Sequence, residues 1–71
     1  MTSIEKFLVN LYLTDSKKTP EQLTDSEYEK LRYQIDKIIE NDTALDMCKL
    51  VMDNKNYSTT FSDIYIAAII D

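Results

Sequence analysis

Residues 24–40 read TDSEYEKLRYQIDKIIE, and this stretch decides the fold class. Thr24 stands three residues ahead of Glu27, the spacing of a capping box. In that motif the hydroxyl accepts from a backbone amide of the first turn while the carboxylate reaches back. Tyr28, Leu31, Ile35, Ile38 and Ile39 then recur three and four residues apart, as one apolar stripe of a helix. Leu23, just ahead of the cap, is placed to staple against Tyr28. The stretch predicts a helix from Asp25 to about Glu40.

Similar signals lie on both sides of it. Upstream, Thr19-Pro20-Glu21-Gln22 offers a cap and a proline at the first helical position, which predicts a short turn over Pro20–Leu23, either separate from the main helix or merged with it. Further upstream, Thr2 and Glu5 make another capping box, and Ile4, Phe7, Leu8 and Leu11 follow at helical spacing. That helix is expected to run to about Leu13, with Asp15-Ser16-Lys17-Lys18 as a polar connector. Downstream, Thr43 and Asp46 are read as the opening of a third helix carrying Ala44, Leu45, Cys48, Val51 and Met52 on one face. Asp53-Asn54-Lys55-Asn56 is expected to end it. Thr60 and Asp63 are a last cap pair, followed by Phe61, Ile64, Tyr65 and Ala68. The β-branched run Ile64–Ile70 also fits a buried strand. The cap and Ala67-Ala68 favour helix, and a lone strand would have no partner within the chain.

The chain has no glycine and one proline, so Asn, Asp, Ser and Thr must make its breaks. Asn41-Asp42-Thr43 and Asn56-Tyr57-Ser58 match the glycosylation pattern but are read here as helix punctuation. The fold class expected is all-α: one domain over residues 1–71, a compact bundle of three to four antiparallel helices. Such a domain buries only about 60% of its unfolded surface, so its stability margin is thin.

Composition removes whole classes of function. Histidine is absent, which takes away the usual general base near neutral pH. Without glycine, phosphate-cradling loops cannot be built. Cys48 is the only cysteine. It can form no disulfide within the chain, it would be the single soft ligand of a zinc site, and it fits a reducing cytosol. Lys49, its sequence neighbour, would not face it on a helix, so Cys48 reads as a core residue. The Asp53 stretch has Lys at the third position of a calcium loop, no glycine at the sixth and Ile64 at the twelfth, which defeats that motif. Neither an enzyme, nor a metal, nor another cofactor is expected.

The net charge is −5 and the pI about 4.5. A direct nucleic-acid binder should carry a basic stripe, and an anionic membrane would repel this charge. No apolar run approaches the length of a membrane helix, and Met1–Leu13 has no basic region ahead of its apolar stretch, so a cytoplasmic protein is expected. The Ile, Lys, Asn and Asp richness is that of an AT-rich genome, such as a phage or a low-GC bacterium.

Two surfaces then remain for binding. On helix two, Asp25, Glu29, Asp36 and Glu40 fall within about 60° of one another at roughly 100° per residue. Tyr33 lies beside this acidic ridge, and Arg32 interrupts it. Most acidic helix faces are solvated faces and nothing more. The functional reading is a ridge that engages a partner's basic surface, such as a nucleic-acid-binding groove. The second surface is apolar. Val9 and Leu13, Met47 and Leu50, and Ile66 and Ile70 lie off the main stripes of their helices. They either complete a core wrapped around helix one or form an interface with a second copy or a different protein. The expectation is a small acidic inhibitor or regulator that acts by covering a partner protein. The alternative is an assembly protein that self-associates through these apolar faces.

Overall fold

The computed structural model of the chain describes residues 2–54 and 56–70. Its elements are α1 (Ser3–Ser16), a 3₁₀ turn (Pro20–Gln22), α2 (Asp25–Glu40), α3 (Asp42–Asp53) and α4 (Phe61–Ile70). No strand occurs among the described residues, so Ile64–Ile70 is helix. Each of the four helices packs on the other three, a small all-α bundle.

The caps explain where the helices lie. Thr2 and Glu5 form the expected box: Thr2 Oγ1 accepts from the Glu5 amide at 3.2 Å, and Glu5 Oε1 accepts from the Thr2 amide at 3.3 Å. Thr24 Oγ1 likewise accepts from the Glu27 amide at 3.1 Å. The Glu27 carboxylate takes the Thr24 hydroxyl and, across the connector, the Lys18 ammonium. Thr60 Oγ1 accepts from the Asp63 amide at 3.1 Å and opens α4.

Two boundaries differ from expectation. Helix α1 continues through Asp15 and Ser16, one turn past Leu13. Lys17 ends it in the left-handed conformation, at φ 55°. The Lys17 amide donates to the Thr14 carbonyl and the Lys18 amide to the Leu13 carbonyl, a Schellman closure formed without glycine. Helix α3 is opened by Asn41, not by Thr43. Asn41 Oδ1 accepts from the Ala44 amide at 2.9 Å, which leaves Thr43 inside the first turn. Asn41 also ends α2 through its backbone amide and donates Nδ2 to the Ala68 carbonyl of α4 at 3.3 Å. A two- to five-residue loop normally joins antiparallel helices. Here one extended residue turns α2 into α3 and pins the end of α4. Asp53 is the last residue of α3 and Asn54 its C-cap, while Lys55 of that expected ending lies outside the described residues.

The core cluster is Leu8 from α1, Leu31, Ile35 and Ile38 from α2, Ala44 and Cys48 from α3, and Phe61 and Ile64 from α4. Burial pushes the Cys48 thiol up to about 11, which keeps it protonated and inert. Two members of the expected stripes, Tyr28 and Met52, are exposed instead. Leu23 packs against the core.

Candidate functional site

The acidic ridge stands on the solvent side of α2. With Leu31, Ile35 and Ile38 facing the core, the helical repeat turns Asp25, Glu29, Asp36 and Glu40 to the opposite side, and all four are exposed. Tyr33 is exposed beside them, with the Lys37 ammonium 5.4 Å from its ring centroid.

The ridge is less uniform than its spacing implies. Arg32 gives one guanidinium nitrogen to Asp36 at 3.3 Å and the other to Glu5 of α1 at 2.6 Å. The Arg32 hydrogen bond, with the Thr2 contacts, holds Glu5 below the usual carboxylate range, and Arg32 is correspondingly raised. So Arg32 ties α1 to α2 and partly neutralises Asp36. Asp25, Glu29 and Glu40 enter no ion pair among the described residues.

The ridge also has an energetic signature. Asp25–Glu29 and Asp36–Glu40 are like-charge pairs four residues apart, each of which disfavours a helix by about 0.2–0.5 kcal/mol. Arg32 offsets this at Asp36, and Arg32 and Lys37 stand three residues from Glu29 and Glu40 with the opposite charge. Asp25 interacts well with the dipole of the first turn, whereas Glu29 lies mid-helix and gains nothing there.

The apolar residues divide. Leu13 is 8% exposed, so it is buried within the chain and leaves no surface for an interface. Val9 and Met47 are half-buried against the core cluster. Leu50, Ile66 and Ile70 are exposed, Ile70 to 79%.

A cleft of about 400 Å³ lies where the end of α1 meets α4. Tyr12, Phe61 and Tyr65 supply aromatic surface, Ile66 and Ile69 form an exposed apolar side, and Gln34 of α2 lines it as well. The Tyr12 and Phe61 rings meet edge to face, 5.4 Å apart. Asp15 also lines the cleft, and its Oδ2 accepts from the Phe61 amide at 2.6 Å, so an acid from α1 caps the first turn of α4. Asp15 and Ile69 are not among the binding residues that the sequence singles out. Ile69 falls at helical spacing from Ile66 and could have been grouped with it. Asp15 reads as connector, and its tie to Phe61 spans 46 residues, beyond any local signal.

No group of three or more potential metal ligands occurs among the described residues, and no helix is long and apolar enough to cross a membrane. Compared with protein families, with characterised proteins and with solved structures, the chain matches none.

Proposed function

We propose that this chain is a protein-binding regulator that covers a basic surface of a partner protein with the outward face of α2. One observation carries the reading: four exposed carboxylates share one face of α2, turned away from the core. Glu29 and Glu40 enter no ion pair among the described residues, and the ridge supplies nothing to the interior. Tyr33 adds an amphipathic contact beside the acids, a composition suited to an interface. The mechanism is steric: the ridge occupies the basic groove, a nucleic-acid-binding one included, that another ligand would use. Charge attraction sets the on-rate and is weakened by salt.

The test is affinity capture with the wild-type chain and with Asp25→Lys/Glu29→Lys/Glu40→Lys, at low and at high salt. The expected result is a protein retained by the wild type at low salt and lost with the triple variant. Equal capture by both chains would refute the ridge.

Self-association is the second reading, and Leu50, Ile66 and Ile70 favour it by remaining exposed. Ile66→Ser/Ile70→Ser then abolishes a dimer while leaving the helical signal intact.

A further inference from the structure

Gln34, which lines the cleft between α1 and α4, lies roughly 120–180° around α2 from the ridge acids, so one small partner element cannot cover both. The geometry points to a second recognition site: the cleft seats an amphipathic helical segment of a partner protein, apolar side chains on Ile66 and Ile69 and an arginine or lysine against Asp15.

Three features select this occupant. The first is charge. Among the described residues, Asp15 is the only charged side chain lining the cleft, and no base lines it. The Phe61 amide binds one of its oxygens and so fixes the carboxylate, while a carboxylate offers about four acceptor sites in all. The second is the aromatic surface. Tyr12 and Tyr65, both half-buried, line the cleft with Phe61, which is buried, and aromatic rings attract cations. The third is extent. The apolar surface does not stop at the cleft. Ile66 and Ile69 are 46% and 56% exposed, and Ile70 continues the side of α4 beyond them. An elongated apolar strip beside a pocket of about 400 Å³ suits a helix laid in a groove, with one side chain entering the pocket. A second copy of this chain fits less well. It would bring another −5 of charge, and its own cleft offers no base to meet Asp15.

The chain has no tryptophan, so a tryptophan-bearing peptide reports its own binding by fluorescence. The probe is an amphipathic peptide of about four helical turns with leucines and one tryptophan on one face and arginines at its edge. A control peptide carries glutamates in place of the arginines. Saturable binding of the arginine peptide is expected, with the glutamate peptide at least about fivefold weaker. Asp15→Asn should weaken the arginine peptide by about fivefold, because asparagine still accepts from the Phe61 amide but has no charge. Ile66→Ser/Ile69→Ser should abolish binding of both peptides, with circular dichroism confirming the helices. The ridge variant Asp25→Lys/Glu29→Lys/Glu40→Lys, measured at high salt, should bind as the wild type does. Equal affinity for the two peptides, an Asp15→Asn chain that binds like the wild type, or no saturable binding would overturn the proposal. Loss confined to the ridge variant would move the peptide to α2 and overturn it too. So would self-association that masks the cleft, which would assign this face to a second copy.

Discussion

Helices α2 and α4 treat their apolar residues in opposite ways. On α2 the stripe of Leu31, Ile35 and Ile38 is buried, and what remains outward is charged. On α4, Phe61 and Ile64 are buried, yet Ile66, Ile69 and Ile70 point away from the core. The first helix obeys the ordinary economy of a small domain, in which apolar surface is placed inside. The second departs from it. The departure leaves apolar surface of α4 exposed, and this is the surface that the proposed cleft site uses. Each helix has a face turned to the core and a face turned outward, and the chemistry of the outward face differs between them.

Substitutions can break or sharpen this contrast. The largest effect is expected at the buried stripe: Ile35→Ala should lower unfolding free energy by about 3 kcal/mol, as a large-to-small core change does. The same change at Ile69 should alter it by less than about 0.5 kcal/mol. Urea unfolding of the two variants measures the difference, and a comparable loss at Ile69 would make the outward face of α4 part of the core. Next comes the corner that joins the two helices. Asn41→Ala removes the cap of α3 and the tie to Ala68, and should destabilise by about 1–2 kcal/mol. Asn41→Asp keeps the cap and loses only the tie, so its loss should be smaller.

A smaller gain is expected from Lys17→Gly. Lysine in the left-handed region is strained, and glycine should recover about 0.5–1 kcal/mol after its unfolded-state entropy is counted. The smallest effect belongs to the ridge. Glu29→Gln should stabilise the chain by about 0.3 kcal/mol through relief of repulsion with Asp25. Measurable destabilisation by Glu29→Gln would show that the ridge serves the fold.

Stability should also follow pH at both ends. Lys18 holds Glu27, and Arg32 holds Glu5, below the ordinary carboxylate value. Their contribution is present above that value and fades as pH falls through the lowered ones. The Cys48 thiol is raised from 9.0 to about 11, so its contribution is present below pH 9.0 and is lost as pH rises towards 11. A thiol reagent that labels Cys48 only on unfolding checks the same burial.

The sequence made α2 legible because its cap, its stripe and its acidic face all follow from local spacing. The bounds Asp25–Glu40 are those the spacing predicts. The C-terminal end of α1 and the start of α3 are harder to read. Schellman closure at Lys17 normally advertises itself by glycine, and this chain has none. Asn41 was recognisable as punctuation, but its reach to Ala44 competed with an equally good local pattern at Thr43. Leu13 is off the stripe of α1 on a helical wheel, yet it is buried, which the local spacing does not show. The acidic ridge could be read from α2 alone. The cleft could not, since Tyr12, Asp15, Phe61 and Ile69 come together only when the two ends of the chain pack side by side.

The most direct test of the central claim, that the chain acts on a different protein and not on itself, is its mass in solution. Light scattering over a range of concentrations, at low and at high salt, should return a monomer of 8.3 kDa throughout. A dimer that persists in high salt and disappears with Ile66→Ser/Ile70→Ser would contradict it, and would give the exposed face of α4 to a second copy.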